Sequence, residues 1–114
     1  MPPTPPMSEA TWQEQLLDLA HLLGWKHLHV RRTIGRGKKW VTATTVIGWP
    51  DLSLWSERQQ RIIFVELKSE TGKPTPEQVE VLASLGKAGQ EVYLWRPSDL
   101  EAAKSVLQGA RPTV

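Results

Sequence analysis

The chain has 114 residues, enough for one domain of ordinary size around a single core, and its 39% apolar and 23% charged content is that of a folded globular protein. No apolar run approaches the ~20 residues that span a membrane, and the absence of cysteine excludes disulfides and thiolate metal sites. Net charge is only +2, yet all six charged residues between Leu19 and Pro50 are basic (Lys26, Arg31, Arg32, Arg36, Lys38, Lys39), against eight basic and twelve acidic residues elsewhere. A basic segment on an otherwise acidic domain points to a polyanion partner; the alternative is a solvated loop.

The opening MPPTPPM lacks the apolar centre of an export signal, so residues 1–7 are expected to be a disordered proline-rich leader and the protein to be cytoplasmic. Residues 8–23 are predicted to be a helix: Ser8 suits the N-cap, Trp12, Leu16, Leu19, Ala20 and Leu23 recur at helical spacing, and Gly24 stops it. On this wheel Glu9 extends the buried stripe and Glu14 faces solvent. KHLHVRR at 26–32 reads as a strand, and 33–49, rich in glycine, threonine and basic residues, as a long loop with a short strand at 40–46. After the turn GWPD, LSLW is a strand, and SERQQ connects it by a hairpin to a strand at 61–68. Thr75-Pro76-Glu77-Gln78 is a helix start, with Val81, Leu82 and Leu85 as the apolar face and Gln78 on that same buried side; Gly86 and Gly89 end it. EVYLW is a strand, and Ser98 with Glu101 forms a second capping box opening a helix over roughly 99–108. A single domain at 8–108 and a flexible tail at 109–114 are expected. The first three strands pair as a meander, and the helix before the fourth makes a right-handed crossover to a parallel pair.

The chemistry gathers at FVELKSE. In a strand over 61–68, one face carries Arg61, Ile63, Val65 and Leu67, and the other Ile62, Phe64, Glu66 and Lys68. Both are apolar in the middle, as in a central strand covered on both sides. The hairpin brings Asp51 beside Glu66 and Lys68. Each alone has an ordinary reading: Glu66 with Lys68 a surface salt bridge, Asp51 a turn residue, Gln78 a capping residue, Glu9 a favourable charge at a helix start. Together they form an acidic pocket beside a cation. Carboxylate oxygens suit Mg²⁺ or Mn²⁺, which activate water for attack on phosphorus. Lys68 can hold the nucleophile or stabilise the charged transition state. Glu9 and Gln78, at helix starts, can reach the same pocket.

Pro50-Asp51 followed by Glu66-Leu67-Lys68 is similar to the PD-(D/E)XK nuclease signature. GWPDL at 48–52, FVELKSETG at 64–72, PEQ at 76–78, the G-x-x-V-Y-x-W-R-P ending at Pro97, and the opening helix with Glu9, LAHLLGW and His29 resemble the VRR-NUC subfamily. The resemblance covers about residues 8–107. It implies an α/β, restriction-endonuclease-like αβββαβ core with a mixed four-stranded sheet flanked by helices, and Mg²⁺- or Mn²⁺-dependent cleavage of DNA phosphodiesters. It assigns Asp51, Glu66, the Leu67 backbone carbonyl and Glu9 as metal ligands, Lys68 as the catalytic lysine, and Gln78 as the helix glutamine of the subfamily. His29 falls where several relatives carry histidine; its ordinary reading is a satisfied strand residue. Small stand-alone members resemble virus-encoded, structure-specific homodimers, some acting on four-way junctions. With no appended helicase or DNA-binding domain in its 114 residues, the protein is expected to fall in that group. DNA contacts are expected from Arg31, Arg32, Arg36, Lys38, Lys39, Trp40 and Lys73. A homodimer is expected to bury at least one of Trp25, Trp40 and Trp55, with Trp12 and Trp95 kept in the protomer core. The alternative function is a nucleic-acid-binding module with the same fold and no catalysis.

Overall fold

The computed structural model describes residues 6–30, 33–34, 40–41 and 46–112. Among the described residues the chain runs α1 (Glu9–Leu22), β1 (Lys26–His29), β2 (Thr33–Ile34), β3 (Trp40–Val41), β4 (Leu52–Ser56), β5 (Arg61–Leu67), α2 (Pro76–Lys87), β6 (Glu91–Trp95), a 3-10 turn (Pro97–Asp99) and α3 (Leu100–Leu107). The main sheet has the order β1-β4-β5-β6, with the first two pairings antiparallel and the last parallel. This is the mixed α/β core expected from the sequence. The stretch read as a loop with a strand at 40–46 instead carries a two-stranded ladder, with Thr33 opposite Val41 and Ile34 opposite Trp40.

Local chemistry sets the element ends. Ser8 Oγ accepts from the Thr11 amide, and Gly24, at φ +86°, takes the left-handed position that closes α1. The Thr75–Gln78 capping box opens α2, with Pro76 in the first turn. Gly86 does not end α2 but lies inside it, where an added Cβ would sit 3.7 Å from Val92 Cγ2; Gly89, at φ +86°, follows the last turn. The box expected at Ser98–Glu101 is displaced by two residues. Asp99 Oδ2 accepts from the Arg96 amide, so the acid three positions after Arg96 caps the 3-10 turn.

Residues directly opposite in the register share a face, so Leu52, Leu54, Ile63, Val65 and Leu67 form one side of the sheet. They are fully buried with Trp12, Leu16 and Ala20 of α1 and Ala103 and Leu107 of α3. Each large side chain removed from water there contributes about 1.5–3 kcal/mol. Trp25 and Trp95 are buried in the same core, which removes Trp25 from the candidates for a dimer contact; Trp55 is half-buried. The opposite face departs from the expected double cover. α2 packs over β6, and Ile62 in β5 stays 45% exposed, as does Leu28 of β1 on the same face at 57%.

Arg61 lies on the buried face, its side chain 1% exposed. Nε donates to Glu91 Oε1 at 2.9 Å and Nη2 to Glu91 Oε2, while Nη1 donates to the Val106 carbonyl at 2.9 Å and Nη2 also to that of Ala110. A buried cation thus ties β5 to β6 and caps the end of α3. Burial alone would raise the Glu91 pKa, but the bonds from Arg61 and Tyr93 carry it below the usual carboxylate range.

Candidate active site

Asp51 stands immediately before β4. Leu52 pairs with Val65, so the antiparallel register carried one step further sets Asp51 opposite Glu66. Two contacts hold it there. The Val30 amide donates to the Asp51 carbonyl at 2.9 Å. Gly48, at φ +93°, lies against the first turn of α2 so closely that an added Cβ would be 2.5 Å from the Glu77 carbonyl carbon. Only glycine fits that approach.

Glu66 has no exposed surface, and its oxygens divide their partners. Oε2 accepts from the Asp51 amide at 3.2 Å, and Oε1 accepts from Gln78 Nε2 at 2.9 Å. Gln78 works at both ends: its Oε1 accepts from the Thr75 amide at 2.9 Å, completing the capping box, while its Nε2 holds Glu66. Lys68 Nζ is 3.4 Å from Glu66 Oε1 and 3.8 Å from Glu9 Oε1. Glu9 departs from the buried position expected of it. Its side chain is 49% exposed, so it meets the site at the rim, through Lys68. Burial pushes the Glu66 carboxyl up to about 8; the adjacent Asp51 carboxylate adds to the rise and Lys68 opposes it.

Asp51, Glu66, Lys68 and Gln78 therefore meet at the carboxyl end of β5, with Glu9 beside Lys68. Among the described residues no group of three or more His, Cys, Asp or Glu side chains is arranged to hold a metal, so side-chain donors for a cation here come to the Asp51–Glu66 pair. His29 is half-buried, and its Nδ1 lies 3.5 Å from Gln13 Nε2. Lys73 is exposed. Arg31, Arg32, Arg36, Lys38 and Lys39 lie outside the described residues, and Trp40 is described only through its place in β3. Sequence reasoning missed two charged groups: Arg61, buried under the sheet, and Arg96, whose guanidinium Nη1 donates to the Ser69 and Gly72 carbonyls at 2.6 Å each. The signal for both was present: a charged residue at the start or end of a strand that pairs in parallel with a neighbour.

The family model for the VRR-NUC domain matches residues 8–99, a span that takes in Glu9, Asp51, Glu66, Lys68 and Gln78. No curated protein matches the chain. A match over most of the chain, on a fold with this sheet and these helices, makes the assignment: the chain belongs to the VRR-NUC family of the PD-(D/E)XK nuclease superfamily, a family of nucleases.

Proposed function

We propose that the chain is a Mg²⁺- or Mn²⁺-dependent DNA endonuclease acting on branched DNA such as four-way junctions or flaps, with residues 8–108 as its nuclease domain. The observation that carries the reading is Glu66: a fully buried carboxylate, set against Asp51 and offset only by Lys68. Two carboxylates beside one ammonium leave an excess of negative charge on hard oxygen donors, and that set suits a small divalent cation. Asp51, Glu66 and the Leu67 carbonyl would hold it, with Glu9 at the rim. When bound, Mg²⁺ or Mn²⁺ supplies Lewis acidity toward the scissile phosphate and lowers the pKa of water.

The chain's own groups do the rest. Gln78 fixes the orientation of Glu66 from the start of α2. Lys68, 3.4 Å from Glu66, is placed to donate to charge developing on phosphate oxygens. The basic residues between 31 and 39, with Trp40 and Lys73, contact the DNA backbone and bases. Cutting both strands of a branched duplex requires two sites at fixed spacing, which a two-fold homodimer provides. The half-open sheet face with Leu28, Trp55 and Ile62 supports such a pairing.

Labelled flap, duplex, single-stranded and four-way-junction DNA, each incubated with Mg²⁺, Mn²⁺ or chelator, tests the proposal. Cleavage is expected on a branched form with either metal, and none with chelator or with Glu66→Ala. Undiminished turnover by Glu66→Ala would refute the assignment. Binding without cleavage under both metals would leave the non-catalytic module.

A further inference from the structure

β5 and β6 run parallel, so both leave the sheet at one edge and the residues that follow them are neighbours. Lys68 and the turn 69–72 come after β5; Arg96 comes after β6. The Lys68 amide donates to the Trp95 carbonyl at 3.1 Å, extending the ladder by one step. Arg96 then reaches across. Its Nη1 donates to the carbonyls of Ser69 and Gly72 at 2.6 Å each, with a longer contact of 3.3 Å to that of Glu70. The backbone beneath the guanidinium is itself fixed: the Arg96 amide donates to Asp99 Oδ2 at 2.8 Å, and the Ser98 amide donates to the Glu70 carboxylate.

Three carbonyls converging on one point repel one another unless a donor sits among them. All three bonds run from Nη1, a terminal guanidinium nitrogen with two N–H groups, so one hydrogen is shared between carbonyls; the long side chain carries that nitrogen further from the backbone than a lysine ammonium reaches, and the planar group holds it at a fixed angle. The guanidinium pairs with no carboxylate among the described residues, so its bonding capacity goes into the turn. That turn follows Lys68 directly, at the chain's exit from the strand carrying Glu66.

We infer that Arg96 is a positioning residue for Lys68: by clamping residues 69–72 it fixes the backbone from which the lysine reaches back over Glu66. The inference rests on the nuclease reading of the site. Lys68 has a long, flexible stem, and its ammonium must sit within hydrogen-bonding range of the reacting phosphate. A misplacement of ~1 Å in such a group costs about a hundredfold in rate. Arg96 does not need to touch substrate to matter; it acts through the chain.

The test is a double-mutant cycle of Arg96→Ala with Lys68→Ala, read as kcat and KM on a cleaved DNA, together with amide hydrogen exchange over residues 68–72. Arg96→Ala should lower kcat at least about tenfold with KM changed less than about twofold, and should speed exchange in the turn. Arg96→Lys keeps the charge, but its shorter stem stops short of the carbonyls that Nη1 reaches, so it should stay impaired; it also serves in the cycle if Arg96→Ala folds poorly. In the Lys68→Ala background, removing Arg96 should change kcat by less than about twofold, because its effect runs through the lysine. Equal losses with and without Lys68, or an unchanged kcat for Arg96→Ala, would overturn the inference. A wild-type chain that cleaves no DNA would sink the nuclease reading and the catalytic half of this inference with it. Exchange still decides the clamp separately, and an unaltered turn in Arg96→Ala would remove it.

Discussion

Ionising Glu66 should weaken the metal-free fold, and Glu66→Gln should abolish that effect. Below pH 4.5 the carboxyl is protonated in both folded and unfolded chains. Between its ordinary value of 4.5 and about 8 the unfolded chain has released the proton and the folded chain has not, so stability falls as pH rises; above about 8 it levels off at the reduced value. At about 1.4 kcal/mol per pH unit, the interval from 4.5 to about 8 sets a ceiling of about 5 kcal/mol. Relaxation and water entry on ionisation lower this to ~2 kcal/mol, still a large part of a small domain's stability. The assay is urea unfolding at pH 5, 6, 7, 8 and 9 with chelator, comparing midpoints at constant slope for wild type and Glu66→Gln. The difference between the two should widen as pH rises, the wild type falling below Glu66→Gln, because only the wild type carries the titration. Mn²⁺ should raise the wild-type midpoint at pH 8 and leave it nearly unchanged at pH 5, where the site is protonated. Parallel pH curves for the two proteins would refute the account of Glu66.

Lys68→Ala should lower turnover by about a hundredfold or more with little loss of DNA binding; a parallel fall in binding would make Lys68 a phosphate anchor. Replacing Arg36, Lys38 and Lys39 together should weaken binding and flatten its salt dependence by about one unit of slope per lost contact, measured by fluorescence anisotropy across a salt series. Arg61→Ala strands Glu91 under the sheet and frees the carbonyls at the end of α3, so it should cost about 3–5 kcal/mol in urea unfolding without entering the active site; a change under ~1 kcal/mol would contradict the buried ion pair. Light scattering at micromolar concentration should give twice the 12.9 kDa chain mass; a constant monomer mass would rule out the dimer.

The meeting of Asp51 with Glu66 was legible because it depends on a short hairpin and a fixed register, both local. Gln78 was legible for the same reason, and both of its readings hold at once, as a capping residue and as a partner of Glu66. Glu9 was misjudged because helical periodicity gives a direction around the axis but not a depth, and the first turn of a helix projects beyond the core. The cap at Asp99 was misplaced because acids stand three residues after both Arg96 and Ser98, and only the path of the backbone leaving β6 chooses between them. The cover over Ile62 was misjudged because a strand's alternation cannot say how far the helix above it extends. Arg61 and Arg96 were missed although the parallel pairing of β5 with β6 was expected, because the carbonyls they bind, at the end of α3 and in the turn 69–72, depend on the path of the backbone after each element and not on residue type.

The anchoring on either side of Asp51 has a further consequence. Val30 is bonded to Asp51, and Gly48 is wedged against α2, so the residues flanking 31–47 are fastened to the scaffold close to the Asp51–Glu66 pair. What lies between them is interchangeable in principle. Doubling its length adds only about 0.6 kcal/mol of closure entropy and moves neither fastening. On the proposed function, the most basic part of the sequence can thus be lengthened, shortened or swapped as a cassette, and substrate preference can diverge without the Asp51–Glu66 pair having to be rebuilt each time.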